Sequence, residues 1–139
     1  MSSTTGSDQP LAGPPCRLLW PDSEVRELVW RGADLCLHLS AACVCRTDPA
    51  TGAPEQGFLR GVTLILRGAR TSSRLSDALG RLHAVRWQGA ACPVWLPCRH
   101  TEPLGLELQF ANGTQLLLTA QALDAQVMAG ARFFPSLAC

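Results

Sequence analysis

Two Cys-x-His pairs are the residues of this chain whose types and spacing could bind a metal. The first pair is Cys36 and His38, and the second is Cys98 and His100. Residues two apart on a β-strand lie on the same face, so each pair would present a thiol and an imidazole together. Four such ligands would suit tetrahedral zinc, with Cys92 as a substitute for one of them. The spacing is not that of zinc fingers or ribbons, and the alternative is solvent-facing histidines with bystander thiols.

Seven cysteines stand in the chain, an odd number that cannot pair completely within one molecule. The first fifteen residues lack the basic start and apolar centre of a secretory signal, so we expect a cytoplasmic location with reduced thiols. Cys43 and Cys45 share strand parity with the leucines of the predicted core face, Leu35, Leu37 and Leu39. The thiols are therefore predicted to pack as small hydrophobic groups.

Catalytic signatures are missing from the sequence. There is no Gly-x-Ser-x-Gly elbow, no cysteine-protease signature, no phosphate-binding glycine loop and no pair of carboxylates at glycosidase spacing. His83 alternates with Val85 and Trp87, which predicts a partly buried, hydrogen-bonded histidine rather than a catalytic base. The sequence favours a non-enzymatic domain without a cofactor.

Arginine is concentrated in the middle of the chain. All twelve cationic side chains are Arg, and residues 58–88 contain six of them against the single acid Asp77: Arg60, Arg67, Arg70, Arg74, Arg81 and Arg86. This segment, together with Trp87, could bind an anion or nucleic acid. The alternative is pairing with acids on adjacent strands, namely Asp22, Glu24, Glu27, Asp34 and Glu107. A pI near 7.6 lies below the value of about 9 typical of nucleic-acid domains, which makes nucleic acid a disfavoured partner.

Trp95 is the best single candidate for contact with a protein partner. It stands between Pro93 and Pro97 in a segment that reads as an exposed, irregular crossing. Tryptophan is enriched at binding hot spots, and it also dominates cores. The alternative is therefore that Trp95 plugs one end of a barrel.

The strongest local pattern is a β-hairpin at 104–123. Leu104, Leu106, Leu108 and Phe110 alternate with polar residues or glycine, as on a strand with one buried face. A two-residue Asn-Gly turn would place apolar residues opposite polar ones. A three-residue loop over 111–113, with Gly113 left-handed, instead pairs Leu108 with Leu116, Leu106 with Leu118 and Leu104 with Ala120. We expect the second register.

The remaining segments predict further short strands. A second hairpin joins 25–30 to 35–45 through a turn at 31–34, and 46–57 reads as a loop. The stretch 58–69 buries Val62, Leu64 and Leu66, and 81–87 alternates again. Residues 73–80 could form one short helix ended by Gly80, and Phe133–Phe134 could add a last element.

These elements predict an all-β fold, an antiparallel sandwich or partly closed barrel of six to eight short strands with at most one short helix at about 73–80. We expect a disordered leader at 1–20 and a single β domain at 21–139. No apolar run approaches the roughly 20 residues of a membrane helix. The layout over 24–123 resembles small bacterial all-β domains of uncharacterised function, and arginine without lysine indicates a GC-rich genome.

The favoured function is binding of a protein partner or of a second copy of the chain. Exposed strand edges can pair with other chains, and lysine, a common protection against such pairing, does not occur in this sequence. Proline, arginine or a partner chain must then protect the edges, and the last possibility is the argument for a homo-oligomer. The alternatives are anion or nucleic-acid binding through 58–88, and binding of a small apolar ligand inside a barrel.

Overall fold

A computed structural model describes residues 16–71, 74–88 and 94–135, and its regular structure is all β-strand. Within these ranges, eight strands have six residues or more, in line with the predicted six to eight, and four more have two or three. The described residues contain no helix that could span a membrane. The twelve strands are β1 (Cys16–Leu18), β2 (Glu24–Arg31), β3 (Asp34–Thr47), β4 (Pro54–Leu59), β5 (Val62–Arg67), β6 (Gly80–Gln88), β7 (Trp95–Leu96), β8 (Cys98–His100), β9 (Leu104–Phe110), β10 (Gln115–Ala120), β11 (Ala122–Val127) and β12 (Phe133–Pro135).

The fourteen-residue strand β3 organises the antiparallel sheet. Its first half pairs with β2 on one side and β5 on the other, and its second half pairs with β1 and β4. The first half thus lies in the strand order β6-β2-β3-β5-β11-β8, and the second in β7-β1-β3-β4-β12. Strands β9 and β10 extend the sheet beyond β6, and the sheet does not close into a barrel.

Two β-bulges mark the place where β3 passes between its two sets of neighbours. Pairing with β2 shifts from Glu24↔Ala41 to Val25↔Leu39 and then to Glu27↔His38, which leaves Ser40 and Arg26 as extra residues. An extra residue reverses the inward and outward alternation of a strand. The core face of β3 therefore changes from Leu35, Leu37 and Leu39 to Ala42 and Val44.

The predicted core parity of Cys43 and Cys45 is wrong because of this bulge. Cys43 is buried on the other face and Cys45 is half-buried. Cys16, expected in the leader, lies in β1, and burial raises the pKa of its thiol. None of the five described cysteines forms a disulfide. Cys92 and Cys139 lie outside the described residues.

The hairpin formed by β9 and β10 has the predicted register. Leu108 pairs with Leu116, Leu106 with Leu118 and Leu104 with Ala120. The Gly113 N–H donates to the Phe110 carbonyl oxygen at 3.0 Å, and Gly113 has φ 93°, a conformation that a side chain disfavours. The β2–β3 hairpin is also confirmed, with Arg31 opposite Asp34.

Several predicted boundaries need correction. Strand β1 and the buried Trp20 place residues 16–20 inside the fold, although they were predicted as part of the leader. The loop expected at 46–57 spans only 48–53, because β3 continues to Thr47 and β4 begins at Pro54. The helix predicted at 73–80 is replaced, in its described part, by a turn in which the Ala78 N–H donates to the Leu75 carbonyl.

The interior of the fold is filled by aliphatic side chains. The largest fully buried ones are leucines and one valine, drawn from nine strands and including Leu35, Leu64, Leu82, Leu96, Leu108 and Leu116. Trp20 packs edge-on against Trp87 at the β6 side of this core, with ring centroids 6.3 Å apart. A bulge between Leu82 and Ala84 turns His83 to the solvent, so the predicted partial burial of His83 is wrong.

Candidate functional site

The four residues predicted as zinc ligands are not brought together. Strands β3 and β8 are separated by β5 and β11, a span of roughly 14 Å at the usual strand spacing. Cys98 and His100 pair with Ala125 and Leu123, which face the core, whereas Cys36 and His38 lie on the outer face. The two pairs therefore point to opposite sides of the sheet. Among the described residues, no group of three or more His, Cys, Asp or Glu side chains could hold a metal ion.

Part of the arginine-rich segment is used in an ion-pair network on the outer face. Arg67 donates to Asp34 at 2.9 Å and to Asp124 at 2.6 Å, and Arg99 donates to Asp124 at 3.1 Å. Asp34 is one of the acids expected to pair with these arginines. Hydrogen bonds from Arg67 lower the pKa of Asp124, and a hydrogen bond from the Gly68 N–H, followed by one from Arg67, lowers the pKa of Asp34. The Arg67 guanidinium is therefore already paired with two carboxylates of its own chain.

This network makes the stability of the fold depend on pH. Because the pKa of each carboxyl is lower in the folded state, its stabilisation is complete above the unfolded value of about 4 and is lost as pH falls through the folded value. We expect Asp124→Asn to lower the urea midpoint at pH 7, and to differ much less from the parent near pH 2. Urea titrations at several pH values would measure this.

The exposed residue Glu102 supplies the control for that comparison. Glu102→Gln should leave the urea midpoint at pH 7 nearly unchanged. An Asp124→Asn difference from the parent that is equally large at pH 7 and pH 2 would show that lost packing, and not the charge of Asp124, causes the effect.

The other arginines of 58–88 are exposed and lie on different parts of the sheet. Arg81 stands opposite Glu24 across β6 and β2, and Arg86 stands opposite Glu107 across β6 and β9. Arg70 forms an isolated bridge with Thr119 at the edge of β10, and Arg74 lies in the turn before β6. The six arginines thus form no single basic surface, because the sheet carries them to separate strands.

The two tryptophans predicted to contact a partner differ in exposure. Trp87 is half-buried against Trp20 and the core, which leaves little of its ring for a partner. Trp95 is 45% exposed and stands opposite Arg17 across β7 and β1. Trp95 therefore does not plug the interior, and it remains a predicted contact residue.

A cleft opens on the outer face beside the bulges of β2 and β3. Its volume is about 660 Å³, within the range of about 300–1,000 Å³ common for ligand pockets. Both bulged residues, Arg26 and Ser40, line it. β-Bulges are common beside functional sites, where they change the direction of a side chain. We call this feature the arginine cleft; its lining consists of Arg26, Glu27, His38, Leu39, Ser40, Arg60, Gly61, Val62, Thr63, Met128, Ala129, Gly130, Ala131, Arg132 and Phe134.

Three arginines from three elements surround the arginine cleft. Arg26 comes from β2, Arg60 from the break between β4 and β5, and Arg132 from the connection between β11 and β12. All three are exposed, and none forms an ion pair with a described residue. Among the described residues of the lining, Glu27 is the only acid. The arginines and the glutamate of this described lining therefore sum to two positive charges, and Glu24 lies just outside it, where it accepts a hydrogen bond of 2.7 Å from Ser40. Arginines without ion pairs of their own can bind an anion.

The remaining walls combine apolar groups with hydroxyls. Met128 is 66% exposed and Phe134 is 44% exposed, and the Arg60 guanidinium carbon lies 5.2 Å from the Phe134 ring centroid. On the floor, His38 Nδ1 and Thr63 Oγ1 are 3.1 Å apart and share a hydrogen bond. The cleft can thus hold an anionic group and an apolar group at the same time.

Gly61 allows the two walls of the arginine cleft to approach each other. It has φ 78°, and a Cβ at this position would lie 2.9 Å from Met128 Cβ. The Gly61 carbonyl oxygen accepts a hydrogen bond of 2.8 Å from the Met128 N–H. The connection that carries Arg132 is therefore hydrogen-bonded directly to the β4–β5 break that carries Arg60.

Comparison with protein-family models, with curated proteins and with solved structures finds no match to the chain. The site must be interpreted from its own chemistry.

Of the predicted site residues, only Arg60 and His38 line the arginine cleft. Arg26 and Arg132 lie outside the arginine-rich segment, and nothing in their local sequence distinguishes them from other exposed arginines. The bulges that place Arg26 and Ser40 in the lining interrupt an otherwise regular alternation, so the pattern of apolar residues alone could not reveal them.

Proposed function

We propose that the chain is a non-enzymatic binding domain that recognises an acidic segment of a protein partner through the arginine cleft. The observation that carries the proposal is the convergence of Arg26, Arg60 and Arg132, which have no ion pairs of their own within the described residues, around a cleft with apolar walls. Arginine at an interface binds carboxylates and phosphates with paired hydrogen bonds.

The mixed lining favours a peptide segment as the ligand. Phe134 and Met128 are large exposed apolar side chains at the mouth of the cleft, and both types are enriched in interface cores. An acidic residue next to an apolar or aromatic one would occupy both kinds of wall. The volume of about 660 Å³ accommodates a few side chains rather than a folded surface.

A protein partner is favoured over nucleic acid because the basic surface is not continuous. Arg67 and Arg99 are neutralised by Asp34 and Asp124, and Arg46 is paired with Glu55 at 3.2 Å. Nucleic acid is usually held along a track of cations that neutralises several phosphates.

The five described cysteines without a disulfide support a reducing, cytoplasmic location as part of this proposal.

A peptide array with two charge-matched variants tests the proposal. The array combines Asp or Glu with Phe, Leu or Ser at neighbouring positions. We expect the parent protein to bind acidic-apolar peptides, and the variant Arg26→Ala/Arg60→Ala/Arg132→Ala to lose binding by at least about tenfold. The control variant Arg31→Ala/Arg74→Ala/Arg86→Ala removes the same charge from exposed positions outside the cleft and should bind like the parent.

Equal losses in the two triple variants would show that overall charge, not the arginine cleft, attracts the peptides. Binding to no acidic peptide at high micromolar concentration would overturn the proposal. Circular dichroism of each variant establishes that the fold is retained, which we expect because all six arginines are exposed.

A further inference from the structure

We propose that the acidic group held by the arginine cleft is a phosphate monoester on an aromatic side chain, as in a phosphotyrosine segment of the partner. This inference rests on the proposed function and specifies its ligand. It follows from the charge of the cleft, from the placement of its cations on three separate elements and from its apolar wall.

The charge of the cleft matches a dianion better than a single carboxylate. Arg26, Arg60 and Arg132 contribute three positive charges, and Glu27 contributes one negative charge. A phosphate monoester carries about −1.5 to −2 at pH 7, whereas a carboxylate carries −1. A phosphate would therefore nearly neutralise the lining, and a carboxylate would leave about half of the excess charge unbalanced.

The arrangement of the arginines also favours phosphate. They are carried by three different elements: β2, the β4–β5 break and the β11–β12 connection. A carboxylate offers two oxygens in one plane, which one or two guanidinium groups satisfy. A phosphate ester offers three terminal oxygens in a tetrahedral arrangement, which three donors can approach from three directions.

The apolar wall favours an aromatic body for the phosphate ester. The Arg60 guanidinium carbon lies over the Phe134 ring, 5.2 Å from its centroid, and Met128 is the most exposed large apolar side chain in the described residues. Aromatic rings pack well against both phenylalanine and methionine sulfur. A phosphoserine side chain would reach the cations but leave this wall uncovered.

Fluorescence anisotropy with four matched peptides tests the inference. The peptides share one flanking sequence of Gly, Ser and Leu and differ at a central phosphotyrosine, phosphoserine, glutamate or tyrosine. We expect phosphotyrosine to bind at least about tenfold more tightly than glutamate and several-fold more tightly than phosphoserine, and tyrosine to bind weakly. Inorganic phosphate at millimolar concentration should compete, and a single-stranded DNA oligomer should bind more weakly than the phosphotyrosine peptide.

Matched variants separate the two parts of the ligand. Arg60→Ala should weaken phosphotyrosine and phosphoserine binding about equally, by about tenfold. Phe134→Ser should remove most of the preference for phosphotyrosine over phosphoserine while leaving phosphoserine binding nearly unchanged. Leu117→Ser is the control, because Leu117 is as exposed as Phe134, at 44%, but lies on β10 outside the cleft.

Each unfavourable outcome has a distinct meaning. If the glutamate peptide binds as tightly as the phosphotyrosine peptide, the inference fails and the proposed function stands. If phosphoserine equals phosphotyrosine, the aromatic part of the inference fails. If no peptide binds, or DNA binds most tightly, both the inference and the proposed function fail.

Discussion

Leu116→Ala is expected to lower the free energy of unfolding by about 3 kcal/mol, within the range of about 2–5 kcal/mol found for buried Leu→Ala changes. Leu116 has no exposed surface and stands opposite Leu108 in the β9–β10 hairpin. Truncation leaves a cavity in a closely packed interior, so both transfer energy and packing contacts are lost. Urea unfolding followed by tryptophan fluorescence measures the change.

The next residue along the strand is the matched control. Leu117 is 44% exposed and points to the opposite face of β10. Leu117→Ala should change the free energy of unfolding by less than about 1 kcal/mol. A one-residue shift of register would exchange the faces of the two leucines, so a larger effect at Leu117 than at Leu116 would contradict the hairpin register.

The register of this hairpin could be predicted from sequence because two local signals agree. Leucines at every second position require one face to be buried, and Asn112-Gly113 restricts the turn to a few types. Only the three-residue loop satisfies both signals. The same agreement between pattern and turn explains the success at the β2–β3 hairpin and the all-β class.

Sequence reasoning failed where an extra residue enters a strand. The bulges at Arg26, at Ser40 and next to Leu82 each reverse the alternation of side chains, and no proline or glycine marks them. The errors at Cys43, Cys45 and His83 all follow from these three positions. A bulge is fixed by the strands on both sides, so its cause lies in tertiary contacts rather than in the local pattern.

The arginine cleft could not be predicted for a related reason. Its cations come from residues 26, 60 and 132, which are close only because β3 lies between β2 and β5 and because Met128 is fastened to Gly61. Clustering of arginine along the sequence indicated the segment 58–88 instead. Strands carried that cluster to separate places, where Arg67 is paired with Asp34 and Asp124.

Ser23→Ala is expected to lower the free energy of unfolding by about 2–3 kcal/mol, a large effect for the loss of one oxygen atom. Ser23 is fully buried. Its Oγ donates to the Leu19 carbonyl oxygen at 2.9 Å and accepts from the Cys43 N–H at 2.8 Å. Without the Ser23 hydroxyl, the Leu19 carbonyl and the Cys43 N–H each lose this hydrogen bond in a buried region. An unmade hydrogen bond there costs about 1–3 kcal/mol.

The position of Ser23 explains why its hydroxyl has this role. Strands β1 and β2 both pair with the same side of β3, and the chain between them does not pair with it as a strand. The Cys43 N–H on this side of β3 therefore donates to the Ser23 hydroxyl instead of to a strand carbonyl. The main chain of Ser23 also binds β6, since its carbonyl oxygen accepts from the Leu82 N–H at 2.8 Å. One residue thus joins the segment that follows β1 to β3 and β6 at the corner of the core.

Ser40→Ala is the control for this prediction, because the Ser40 hydroxyl donates to Glu24 at 2.7 Å in an exposed position where water can replace it. We expect a change below about 0.5 kcal/mol there. Ser23→Cys keeps a weak donor and acceptor at nearly the same volume and should lose less stability than Ser23→Ala. If alanine at 23 cost no more than alanine at 40, the break between β1 and β2 would be held by packing alone, and the hydroxyl would not be part of the corner.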